Sequence, residues 1–174
     1  MAYTYSKIST YTVGSGGVPS VTFLNIPQNY TDLVIKVSTR TNFASTSDYI
    51  YMSLNGNTSN NSYRKIEGNG SAVGSYSGSG STNSTGVATA NGATATASIF
   101  GNSEIYIPNY TSSNAKSASA DGVSENNATA ALAELRSYLN SGTSAITSIA
   151  LAPGSGTTFV EYSTFHLYGI KAEL

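Results

Sequence analysis

Side chains able to do chemistry are few in this chain, and none of them gather by spacing. The one histidine, His166, sits between Phe165 and Leu167 in a stretch that alternates like a strand. A general base needs a nucleophile beside it and a partner to orient it, and no local motif supplies either. The nine carboxylates are scattered from Asp32 to Glu173 without a pair that stands out as an acid and its counterpart. No His-x-His, Glu-x-x-His or Asp-x-Asn-Gly series is present to hold zinc or calcium, and the absence of cysteine removes thiolate chemistry and disulfides. The expectation is a protein that is not an enzyme, with no catalytic, cofactor-binding or metal-ligating residues.

Tyrosine is the type in excess, with 13 in the chain. Its rigid, amphipathic ring suits protein interfaces and sugar stacking alike. By alternation Tyr49, Tyr51, Tyr162 and Tyr168 fall on the non-core sides of their strands, while Tyr106 and Tyr110 flank the strand end IYIPNY. With His166 they form the candidate set for contact with a partner or ligand. Ordinary strand propensity accounts for the same tyrosines, and the sequence leaves both readings open.

The elements that must carry these residues are strands. The pattern is mostly of period two, in short runs bounded by turn residues. Tyr3 to Thr12, Val21 to Ile26 and Leu33 to Arg40 read as strands, followed by one with Ile50, Met52 and Leu54 on its core face. Asn55-Gly56 predicts a hairpin whose return strand is Ser62 to Glu67. Ala97 to Tyr110, Ala145 to Leu151 and Thr157 to Ile170 follow, the last turning Phe159, Phe165 and Leu167 inward. Ala128 to Leu139 is rich in helix formers and also alternates; its strand neighbours favour a strand. Residues 68–96, dominated by Gly, Ser, Thr and Ala, read as a low-complexity loop excursion. The fold class expected is all-β, an antiparallel, jelly-roll-like β-sandwich forming one domain over residues 1–174.

Composition bounds the partners. Of 174 residues, 10% are charged against roughly 25% in ordinary domains, and Ser, Thr, Asn and Gly together reach 48%. A net charge of −1 gives no footprint for nucleic acid, and no apolar run is long enough to insert in a membrane. The opening MAYTYSKIST lacks the apolar stretch of a secretory leader, so synthesis in the cytoplasm is expected.

Three stretches, IPQNYTDLVIKVSTR at 26–40, EIYIPNYT at 104–111 with Lys116 to Ala120 after it, and SAITSIALAPGSGTTFVEYSTFHLYGIKAEL at 144–174, together resemble a family of virion structural proteins of tailed bacteriophages. The relatives are labelled tail-fibre, head-fibre or decoration proteins, and the ending STF-x-LYGIKA is their most telling motif. The resemblance implies a homotrimer on the virion of a phage, made in the host cytoplasm. There it would decorate or cement the capsid against the major capsid protein, or serve as a fibre module against neck or tail proteins. A host-receptor or carbohydrate-binding module of a tail fibre, contacting a host-surface glycan, is the alternative.

Overall fold

A computed structural model describes residues 3–80, 86–125 and 131–172. Twelve strands form in chain order: β1 (Tyr3–Thr12), β2 (Val21–Phe23), β3 (Asp32–Thr39), β4 (Ser47–Leu54), β5 (Asn61–Gly68), β6 (Val73–Gly80), β7 (Gly86–Asn91), β8 (Gly101–Ile107), β9 (Lys116–Ser124), β10 (Leu132–Asn140), β11 (Ile149–Pro153) and β12 (Thr164–Ala172). Among the described residues there is no helix. Two antiparallel sheets pack together, in the orders β1-β12-β3-β8-β9-β10-β5-β6 and β2-β11-β4-β7.

The pairing explains the expected jelly roll. β1 lies beside β12, β2 beside β11, β3 beside β8 and β4 beside β7, so the chain runs as a long antiparallel ribbon folded over itself. Eight strands suffice for that ribbon. The other four, β9-β10-β5-β6, extend one sheet as a wing: β5 and β6 are inserted between β4 and β7, and β9 and β10 between β8 and β11.

Alternation places the core. Leu33, Ile35, Ile105, Ile107, Phe165 and Leu167 of the large sheet meet Ile50, Met52, Ile149 and Leu151 of the small one, all with essentially no exposure. Phe159, outside any strand, joins them edge-on to Phe165, with ring centroids 4.8 Å apart. The stretches behind the family resemblance also touch here. The Tyr110 hydroxyl donates to the Pro27 carbonyl, Gln28 donates to the carbonyls of Ile26 and Ile146 at 2.8 and 2.9 Å, and Gly169 lies against the Tyr30 ring.

Several sequence expectations change. Residues 68–96 are not a loose excursion where described: they hold β6 and β7, and all six β7 residues are buried. β7 is packed on both sides, so only small residues fit. A Cβ at Gly86 would crowd Arg136 and Tyr49, and one at Gly92 would sit 2.2 Å from the Ser45 carbonyl oxygen. Its low complexity is therefore a packing requirement. Residues 81–85 of that stretch lie outside the described residues. Asn55-Gly56 does turn tightly, with φ of 52° and 71° and Asn57 N–H bonding the Leu54 carbonyl, yet the chain then leaves for the other sheet, where β5 pairs with β10 and β6. The segment 128–139 is a strand from Leu132 onward, and its first residues, 128–130, fall outside the described ones. Lys116–Ser124, which had no place among the expected strands, is β9. The final strand begins at Thr164 and not at Thr157.

Candidate functional site

The seven sequence candidates do not form one site. Tyr106, His166 and Tyr168 share the outer face of the large sheet, on β8 and β12. Tyr49 and Tyr51 lie on β4 of the small sheet. Tyr162 occupies the turn before β12 rather than a strand, 68% exposed with φ of 70°. Tyr110 is a correction: it is fully buried, and its hydroxyl is spent on Pro27, with burial pushing its pKa up. Because Pro108 ends the strand, the ring swings under the loop and into the core, which strand alternation could not foresee.

The aromatic end of the outer face is a surface of weak contacts. Tyr5 and Tyr168 meet edge-on at 6.4 Å, Thr10 Oγ1 and His166 Nδ1 are 2.5 Å apart, and Lys36 pairs with Glu104 at 2.8 Å while half exposed. The bond to Glu104 raises the Lys36 pKa, but so exposed a pair contributes little to stability. The Tyr106 hydroxyl donates to Asp32 at 2.9 Å, beside a depression of about 330 Å³ lined by Tyr5, Asp32, Tyr106 and Ile170.

The wing is different, because β10 is built inside out. Glu134, Arg136, Tyr138 and Asn140 face the interior, while Leu135 and Leu139 face outward at 56% and 44% exposure. On the inner side, Arg136 grips both Glu134 oxygens at 2.7 and 2.9 Å and donates to the Gly86 carbonyl of β7 at 3.0 Å. Lys65 binds Glu67 and lies 3.9 Å from Glu134. Tyrosines wall the group: Lys65 sits 5.0 Å over the Tyr49 ring and 4.6 Å over Tyr76, and Arg136 sits 4.8 Å over Tyr49. Two cations and two carboxylates thus satisfy one another, all but the half-buried Glu67 almost fully withdrawn from water, in a clamp that fastens the wing to β4 and β7. Below them Tyr138 donates to Asn61 Oδ1 and the Met52 carbonyl at 2.6 and 3.2 Å, and burial pushes its pKa up to about 12.

On the outer side, strand register sets the apolar residues in adjacent rows. Leu135 lies opposite Ile66 on β5, and Val123, Ala133, Gly68 and Val73 follow one another across all four strands. Ile66 is 55% exposed and Val73 79%. The next row is small, with Ser119, Ser137 and Ser77 around Arg64, leaving a depression of about 420 Å³ beside Leu135 and Ile66. Adjacent solvent-facing aliphatic groups on four neighbouring strands mark a contact surface. Sequence reasoning assigned this strand no inner face, because alternation divides its leucines, with Leu135 and Leu139 on one side and Leu132 on the other. The available signal was the spacing of Lys65 with Glu67 and of Glu134 with Arg136, each an i, i+2 pair of opposite charges that must share one face of a strand.

Lys116 is the other buried cation. It is caged by the carbonyls of Ser112 and Asn114, at 2.8 and 2.5 Å, and by that of Thr143 at 3.3 Å, and desolvation lowers its pKa. Among the described residues no three His, Asp, Glu or Cys side chains are grouped to hold a metal ion. Compared with family models, curated proteins and solved structures, the chain matches none.

Proposed function

We propose that this chain is a non-enzymatic virion structural protein of a tailed bacteriophage, a homo-oligomeric β-sandwich that decorates or stabilises the capsid or forms a module at the neck or tail. The observation that carries this reading is β10, which turns its charges inward and its leucines outward on a wing added to the jelly roll. A strand so arranged keeps an apolar face for another protein surface, and a self-assembling structural protein supplies one. A jelly roll hosts capsid, lectin and cupin functions alike, so the fold lends no specific weight. The phage assignment and the count of three copies rest on the sequence motifs. Mass spectrometry of purified particles of the phage that encodes this chain tests the reading: the protein is expected at stoichiometric copy number, and its absence from the particles contradicts it.

A second reading, a glycan-contacting module, is favoured by the depression where exposed Tyr5 and Tyr106 flank the Asp32 carboxylate, since ring faces and an acceptor suit a sugar. Glycan-array binding that falls on Tyr5→Ala and Tyr106→Ala supports it, and no binding to any glycan removes it. Tyr110 has no part in that test, because it is core.

A further inference from the structure

We infer that the outer face of the wing is a two-fold self-association surface, on which Arg64 of each copy pairs with Asp121 of the other around a centre made by Leu135 and Ile66. The inference rests on the structural-protein reading and names the partner of its apolar face as a second copy of this chain.

Three features point to a copy of itself. The first is charge. Asp121 and Arg64 are both exposed on this face, on opposite sides of β10: Asp121 in register with Leu135, and Arg64 one row further along on β5. With strands about 4.8 Å apart and residues about 3.4 Å along each, the two positions are about 12 Å from one another, too far to pair within one chain. Among the described residues the guanidinium donates to its neighbour's carbonyl, that of Tyr63, at 2.8 Å. A two-fold axis running along β10 lays β9 of one copy over β5 of the other. Each Asp121 is then set against the strand that carries Arg64, and the pairing occurs twice by symmetry.

The second feature is shape. The bulky row, Leu135 and Ile66, adjoins the row of serines with its depression of about 420 Å³. Under the same axis each row faces its own equivalent, so Leu135 lies near Leu135 of the other copy, and the two hollows face one another about 7 Å further along, in the row that carries Arg64. The third is size. Four strands about 4.8 Å apart and eight residues about 3.4 Å each cover about 500 Å² per copy, which places the pair near the about 1,000 Å² total that separates specific contacts from incidental ones. The contact closes at two copies, so a ring of three requires a second, head-to-tail surface, and the wing then joins rings in pairs.

A charge-swap cycle read by sedimentation equilibrium tests this. Arg64→Asp and Asp121→Arg each set like charges together, and each is expected to weaken self-association by about tenfold or more. The double variant restores the pairs and is expected to recover wild-type association to within a few-fold. Both positions are exposed, so unchanged thermal melts verify that the variants fold. An oligomer that persists unaltered through both single variants overturns this contact while leaving the structural-protein reading in place. A wild-type chain that stays monomeric up to hundreds of micromolar overturns the contact and self-assembly in solution together, and particle mass spectrometry still decides the virion reading separately.

Discussion

Glu134 and Arg136 show how a sparsely charged chain uses the charges it has. Both are almost completely withdrawn from water, which is tolerable only while each is paired. Glu134→Ala leaves Arg136 facing Gly86 and the tyrosine rings without its counter-ion, and a loss of about 3 to 5 kcal/mol in urea unfolding is expected. The cluster was half legible in the sequence. Its i, i+2 charge pairs were visible, but their shared inner face depends on β5 and β10 becoming neighbours across the 63 residues that separate them. Tyr110 fails the other way: its place at the end of IYIPNY suggested a contact residue, and the turn after Pro108 put it in the core. Tyr138 sets a pH dependence. Its folded pKa of about 12 lies above the ordinary value of 10.0, so the unfolded chain releases this proton first. Its contribution is fully present below pH 10 and is lost as pH rises toward 12, by about 2 to 3 kcal/mol in all. Half-buried Tyr51 and buried Tyr110 act in the same direction, whereas Lys116, with a lowered pKa, favours folding as pH rises toward 10.5. Urea midpoints between pH 9 and 12 are expected to fall, and less steeply in Tyr138→Phe.

At the scale of elements, the strands most legible in sequence were those with one apolar and one polar face. β3 and β4 were found with their core residues because Val37 lies between Lys36 and Ser38, and Ile50 and Met52 alternate with tyrosines and serine. β7 and β6 were not legible, for opposite reasons. β7 is buried on both faces in a space that admits only Gly, Ala, Val, Thr and Asn, and β6 is an edge strand with Gly74 and Gly78 making room for the rings of Tyr76 and Tyr63. Both look simple in composition because neighbours fill the space. Gly169 of β12 is a similar case within the STF-x-LYGIKA ending. A Cβ there would fall 2.3 Å from the Tyr30 ring, so Gly169→Ala is expected to cost about 1 to 3 kcal/mol by overpacking. A double-mutant cycle with Tyr30→Ala checks the cause: the two penalties should fail to add if ring and glycine are in direct contact. Strictly additive penalties would place the strain elsewhere.

For the whole molecule, the jelly-roll ribbon builds the core and the wing adds a surface. The order of strands was out of reach of the sequence, since an Asn-Gly turn that signals a hairpin instead hands the chain from one sheet to the other. The class was within reach, because period-two patterning with frequent turns allows few other solutions. The polar excess serves the outward faces and turns, and four of the few charges, Lys65, Glu67, Glu134 and Arg136, clamp the wing while Arg64 and Asp121 stand on its outer face. That division of labour leaves the wing free to join one copy to another. Sedimentation velocity of the wild-type chain beside Leu135→Asp decides whether it does. A wild-type species at a multiple of the 18.0 kDa chain mass is expected and, for a folded Leu135→Asp, a shift toward smaller species. Identical sedimentation of the two proteins, whether both assembled or both monomeric, would contradict self-association through the wing.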